Sequence, residues 1–187
     1  MERLVGSRIA LREYASTDCV AIHKWRSDPQ TTLWMGPKFR SPIALEEQKQ
    51  RLERIISSPT ADAVFFAIAD RETLQYIGGI DLTGIDWTDR NAVLSMVIGD
   101  EANRNKGYGS EAIQLLLRYA FLRLKLHKIE LNVSERNERA VRCYIRNGFQ
   151  IEGRKRDHSF VNGEYSDDIQ MGILESEFRS PNESFGS

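Results

Sequence analysis

The stretch Ala92–Ala112, AVLSMVIGDEANRNKGYGSEA, constrains the fold of this chain more than any other. Ala92 to Gly99 is an almost continuous apolar run, of the length expected for a strand covered on both faces. Behind it, Arg104-Asn105-Lys106-Gly107-Tyr108-Gly109 forms a basic loop that leads through Ser110 into the first turn of a helix. Gly107 and Gly109 remove side chains where a phosphate could approach the main chain, and the amides of a helix start point outward with the positive end of its dipole. Arg104 and Lys106 add full charges, so the loop suits a pyrophosphate. A Walker loop needs Gly-Lys-Ser/Thr opening the helix, and a dinucleotide fingerprint needs a third glycine where Ala112 stands. A solvated glycine turn is the plain alternative.

With 187 residues the chain has room for one domain with a sizeable core. Its 26 basic and 27 acidic side chains nearly cancel, which removes any general attraction to nucleic acid or to an anionic membrane, so phosphate binding must be local. The N-terminal MERLVGSRIALREY lacks the apolar stretch of a secretory signal and no window reaches the length of a membrane span, which predicts a cytoplasmic protein. Cys19 and Cys143 fall in separate predicted helices and give no disulfide framework. His23, His127 and His158 have no ligand spacing, so no metal site is proposed.

Taken in order, Ile9–Tyr14 reads as a strand and Ser16–Asp28 as a helix capped by Ser16, with Val20, Ala21, Ile22 and Trp25 as its apolar face and Asp28-Pro29 as its stop. Residues 30–41 read as a loop. Ser41-Pro42 opens a second helix with Leu45, Leu52, Ile55 and Ile56 on one side. Val64–Ala69, Tyr76–Leu82 and Ala92–Gly99 are strands, the last two paired antiparallel across a polar turn at Asp86–Asn91. Ile113, Leu116, Leu117, Ala120 and Leu124 recur at helical spacing, and Lys128–Val133 then completes a βαβ unit with parallel strands. Asn137 caps a helix over Glu138–Asn147 that Gly148 terminates, and Phe149–Val161 and Glu164–Leu174 form a hairpin about Asn162-Gly163. The polar residues 176–187 read as a disordered tail.

The segment Asn137 to Phe149, NERAVRCYIRNGF, supplies the second half of a site. Together with the Arg-x-x-Gly-x-Gly loop it resembles the GNAT N-acetyltransferase superfamily, whose helix after the fifth strand has the form Asn-x-x-Ala-x-x-x-Tyr-x-x-x-Gly-Phe. The Phe160–Tyr165 hairpin looks like the Rim-type and spermidine acetyltransferase branch. The resemblance covers residues 8–175. It implies an α/β (α+β) fold over residues 1–175: a single GNAT-like domain with a mixed central sheet of about six to seven strands flanked by helices.

The resemblance also implies acetyl-CoA as cosubstrate and direct transfer of its acetyl group to an amine in a ternary complex. The pyrophosphate is expected on Arg104, Asn105, Lys106, Gly107, Tyr108, Gly109 and Ser110, the pantetheine arm on the main chain of Met96, Val97 and Ile98 where two strands splay at a bulge, and a further contact on Asn137. Tyr144 is the expected general acid. A helical tyrosine taken alone reads as a packing residue, and the chemistry asks for more: acetyl transfer to an amine needs a proton for the departing thiolate, and a phenol of ordinary pKa about 10 can supply it to a thiol near 8.5 over a short contact. Related enzymes often carry a glutamate base on the strand, where Leu94 is the matched residue; Asp81, Asp86 and Asp89 of the neighbouring strand and turn could substitute for it, although they also read as solvated turn carboxylates, and proton loss through water or binding of a neutral amine needs no base. Glu46, Glu47, Asp81 and Asp86 could line a cleft for a polyamine acceptor, and Lys38 and Arg40 near the same predicted loop argue the other way. The acceptor stays open between a protein N-terminus and a small amine such as a polyamine, and so does a homodimer. A non-catalytic acyl-CoA sensor is the competing reading.

Overall fold

The computed structural model describes residues 3–36, 39 and 41–178. Among them, apolar alternation builds eight strands: β1 (Leu4–Val5), β2 (Ile9–Arg12), β3 (Val64–Asp70), β4 (Tyr76–Asp86), β5 (Asn91–Ile98), β6 (Lys128–Ser134), β7 (Gln150–Val161) and β8 (Glu164–Leu174). They form one sheet in the order β1-β2-β3-β4-β5-β6-β8-β7. The strand beyond the expected seven is β1, a two-residue edge too short to show a period. Every neighbouring pair is antiparallel except β5 and β6, which run parallel because a helix crosses between them.

Among the described residues five α-helices flank the sheet: α1 (Cys19–Arg26), α2 (Pro29–Thr32), α3 (Leu45–Ser57), α4 (Tyr108–Arg118) and α5 (Glu138–Arg146). A π-helical turn, Tyr119–Arg123, prolongs α4. The stripe read from the sequence holds: Ile113, Leu116, Leu117 and Ala120 are fully buried with Ile80, Leu82, Leu94, Ile129 and Leu131 of the sheet. Each of the leucine and isoleucine side chains contributes about 1.5–3 kcal/mol of burial. On the opposite face α1 and α3 set Cys19, Ile22, Trp25 and Leu52 against Tyr14, Tyr76 and Val97. None of the described helices is long and apolar enough to cross a membrane.

Several local expectations change. The first helix starts with a short 3₁₀ turn, Ser16–Asp18, whose start is fixed by Asp18 accepting from the Ala15 amide at 2.9 Å while Arg12 grips the same carboxylate at 2.8 Å; Ser16 does not cap it. Its inward face is Cys19, Ile22 and Trp25, and Val20 is 70% exposed. Asp28-Pro29 opens α2 as well as ending α1, since Asp28 accepts from the Gln30 and Thr31 amides at 3.0 and 3.2 Å and proline fits the first helical position. Residues 30–41 are therefore not all loop. The next helix begins at Leu45 after an uncapped Ala44, later than Ser41-Pro42 indicates, and it buries Gln48 and Leu52 while Leu45 and Ile56 face outward.

At the far end, Gly148 closes α5 at φ +93°, and Asn162 and Gly163, at φ +53° and +81°, make the tight turn of the β7–β8 hairpin. Past β8 a 3₁₀ turn, Glu175–Glu177, lies against the domain. Glu177 accepts from the Leu174 amide at 2.9 Å and from Gln150 at 2.6 Å, and Phe178 packs on Phe121 with ring centroids 5.5 Å apart. Residues 179–187 lie outside the described residues.

Candidate active site

A parallel pair of strands joined by a crossover helix need not stay paired, and here it does not. β5 and β6 are in register only over Asn91–Val93 and Lys128–Glu130. From Leu94 to Ile98, β5 keeps β4 on one side and, among the described residues, has no strand on the other, while β6 continues along β8 as far as Ser134. The register of β4 with β5 is unbroken from Gly78 to Thr83, so the expected bulge at residues 96–98 is absent. The opening comes from divergence of β5 and β6, and it leaves main-chain groups of Leu94–Ile98 without ladder partners.

The N-terminus of α4 faces this opening. A Cβ on Gly109 would stand 3.2 Å from Met96 Cε and 3.9 Å from Ile98 Cγ1, so the missing side chain lets the helix start close to the divergent strand. Asn105 and Gly107 adopt φ +61° and +80°, which turns the loop into the helix. The first helical amide to find a carbonyl is that of Glu111, on Gly107 O at 3.1 Å, which leaves the amides of Tyr108, Gly109 and Ser110 at the open end.

The loop is held by Arg8, just before β2, which nothing in its own stretch of chain singles out. Its Nη1 donates to Lys106 O at 2.5 Å, its Nε to Glu111 Oε2 at 3.0 Å, and its guanidinium lies 5.7 Å from the centre of the Tyr108 ring. Burial alone would raise the Glu111 carboxyl, but bonds from the Arg8 amide and guanidinium, the Ile9 amide and the Ser7 hydroxyl outweigh it and hold it below its ordinary value. Glu111 thus consumes part of the Arg8 charge, and the rest stays at the loop.

Individual side chains depart from their expected tasks. Arg104 turns away from the helix start: its Nη2 donates to Thr31 Oγ1 at 2.5 Å and lies 3.4 Å from Gly99 O. Ser110 Oγ is engaged by Asn147, a buried residue at the end of α5 that also accepts from Gln114 Nε2 at 2.9 Å, so Ser110 offers only its amide. Asn137 Oδ1 accepts from the Ala140 amide at 3.3 Å, as a cap does. Met96 and Ile98 point toward α4, whereas Val97 points to the other face, into the cluster with Trp25 and Leu52. Leu94 also points toward α4 and is 3% exposed, so no side chain at that position can serve as a base on the open face. One cation was missed: Arg139, at the start of α5, has no ion pair among the described residues, and its pKa is lowered by burial and then by the nearby charge of Arg104.

Tyr144 is buried in the main core, with its ring 5.6 Å from that of Phe149 in an edge-to-face contact. Met96, Ile98 and Ala140 border the same cluster. Its hydroxyl has no hydrogen-bond partner among the described residues and is not among the occluded polar atoms, so the ring is inside while the oxygen reaches the edge. Burial, and then the neighbouring Cys143, raise its pKa, which keeps the phenol protonated at any working pH. Among the described residues no three His, Cys, Asp or Glu side chains converge as metal ligands would.

The model of the acetyltransferase (GNAT) domain family matches residues 8–150. A spermidine N(1)-acetyltransferase from Vibrio cholerae is 35% identical over 179 residues, covering 96% of this chain and all of that protein. An uncharacterised N-acetyltransferase, p20, from Bacillus licheniformis is 30% identical over 183 residues, covering 95% and 99%. Among solved structures, spermidine N-acetyltransferase from Vibrio cholerae in complex with CoA and spermine superposes with a TM-score of 0.80 at 28% identity, over 92% of this chain and 98% of that one. A dodecameric form of spermidine N-acetyltransferase from Vibrio cholerae superposes with a TM-score of 0.73 at 29% identity, over 91% and 96%.

Proposed function

The chain belongs to the GNAT acetyltransferase family and is an acetyl-CoA-dependent N-acetyltransferase, and we propose that its acceptor is a small cationic primary amine of the polyamine kind rather than a protein N-terminus. The observation that carries this reading is the divergence of β5 from β6 after Val93, directly beside the open start of α4. The residues there fit coenzyme A. The amides of Tyr108, Gly109 and Ser110, with Arg8 and Arg139 nearby, would hold the diphosphate, and the unpaired edge of β5 from Leu94 to Ile98 would hold the pantetheine arm by main-chain bonds. Acetyl-CoA bound there supplies an acetyl group activated as a thioester. The Tyr144 phenol, protonated and without a protein partner for its hydroxyl, is the group we assign to deliver a proton to the departing sulfur.

Two observations support a cationic acceptor. The relatives that match over nearly their whole length include spermidine acetyltransferases. The sheet face opposite α4 is polar where α1 and α3 do not cover it, with Ser95, Glu130 and Asn132 exposed along it. Glu46 and Glu47, other acids open to a polyamine, pair with Lys49 and Arg51 on their own helix at 3.4 and 2.7 Å. We propose further that residues 1–175 act as one catalytic unit and that copies assemble, as the dodecameric neighbour does.

Release of free thiol from acetyl-CoA, measured across spermidine, spermine, an aminoglycoside and peptides with free N-termini, tests the reading. Spermidine and spermine should give the highest kcat/KM. Tight acetyl-CoA binding with no thiol release for any amine would select the sensor reading instead.

A further inference from the structure

We infer that Asp81 receives the ammonium group of the acceptor on the sheet face opposite α4, an assignment that rests on the acetyltransferase reading above. Side-chain alternation sorts the two faces. Leu94, Met96 and Ile98 point to α4, so Val93, Ser95 and Val97 point away from it, and none of these three carries a charge. The acid on that face beside the opening must come from another strand. Asp81 of β4 stands directly across from Ser95, inside the stretch where β5 has lost its β6 partner. Ser95 is exposed and Asp81 half-buried at this pair.

The surroundings suit a cation. A register shift between Ile68 and Ala69 inserts Ile77 as an extra residue in β4, which brings Tyr76 to the same face as Gly79 and Asp81. Tyr14 lies over Gly79, where a Cβ would meet its hydroxyl at 2.2 Å, and Tyr76 accepts from Trp25 Nε1 at 3.2 Å. Both phenols are held neutral, by burial first and also by the charge of Asp81. Asp81 is thus a carboxylate beside two neutral aromatic rings, a combination that favours an ammonium over a neutral group. Two other acids near this face are placed differently. Glu130 stands where β5 and β6 are still paired and has Lys128 at 3.8 Å, and Asp86 accepts from the Thr88 and Asp89 amides of its own turn at 2.7 and 2.9 Å.

The test is steady-state thiol release with spermidine on the wild type, Asp81→Asn and Asp81→Glu, beside calorimetric Kd values for acetyl-CoA. Asp81→Asn should raise the spermidine KM about tenfold or more, the worth of one hydrogen bond to a charged group, with the acetyl-CoA Kd within about twofold. Asp81→Glu should recover most of that loss, which a merely structural residue would not do. Should Asp81→Asn fold poorly, Ser95→Arg places a cation across from the carboxylate at an exposed position and should raise the same KM. A spermidine KM unchanged in Asp81→Asn, or in Ser95→Arg, overturns the assignment, as does an equal loss of acetyl-CoA binding. A wild type that binds acetyl-CoA and turns over no amine removes the acetyltransfer reading itself, a different result from turnover that ignores residue 81.

Discussion

Ser110, in the first turn of α4, and Asn147, just past the end of α5, are locked together: the Ser110 hydroxyl donates to Asn147 Oδ1 at 3.0 Å and accepts from its Nδ2 at 2.9 Å. Asn147 Nδ2 also donates to Cys143 O at 2.7 Å, so the amide ties the last turn of the helix carrying Tyr144 to the helix start that faces the strand opening. The two halves of the proposed site are thereby fixed to each other by one buried side chain.

Asn147→Ala breaks that tie and strands buried polar partners, which costs roughly 1–3 kcal/mol. Urea unfolding should show that loss, and acetyl-CoA affinity should weaken with it because the helix start is no longer held. A stable variant with normal affinity would mean that α4 and α5 are positioned by apolar packing alone.

Gly109→Asp puts a carboxylate at the open helix end beside Met96 and Ile98. Like-charge repulsion should raise the acetyl-CoA Kd on the order of a hundredfold, about 2.7 kcal/mol. Gly109→Ala is the control. Its Cβ meets only the flexible end of Met96 at 3.2 Å, so its effect should be much smaller.

Tyr144→Phe should lower kcat for thiol release by about a hundredfold or more, in the range of general acid catalysis, and leave the acetyl-CoA Kd unchanged. Because burial raises this phenol above its ordinary value, the wild-type rate should show no tyrosine ionisation below about pH 10. Equal kcat in the variant would return Tyr144 to a packing role.

Glu111 gives a pH test of the Arg8 anchor. Its folded pKa is depressed, so the stabilisation it brings is present above the ordinary glutamate value of about 4.3 and is lost as pH falls through the folded value. The stability gap between wild type and Glu111→Gln, from urea unfolding, should therefore be constant near pH 7 and close below about pH 4. A gap that persists in acid would show that the carboxylate charge contributes nothing.

Much of this was legible in the chain itself because it is local. The apolar run of β5, the glycines of the loop, the stripe of α4 and the Asn162-Gly163 turn each declare themselves within a few residues. What escaped depends on distance or register. Arg8 reaches Lys106 across 98 positions, and nothing near either residue signals the contact. Asn147 reads locally as a helix end, and only packing makes it a clasp. The matched base position failed for a different reason: a strand alternates with period two, so residue 94 faces the core while its neighbours face the opening, and a register error of one residue inverts the face. Asp81 is one of several acids that the chain offers for a base or a polyamine, and the shift in the pairing of β3 with β4 that sets its surroundings is invisible in either segment alone.

The central claim is that main-chain amides at the start of α4 hold the diphosphate of coenzyme A beside the divergent edge of β5. Amide chemical shifts of the ¹⁵N-labelled protein, followed as coenzyme A is added, test it most directly. The account predicts that the amides of Tyr108, Gly109 and Ser110 move most, together with residues between Leu94 and Ile98. Saturating coenzyme A that leaves these amides unmoved while others shift would contradict it.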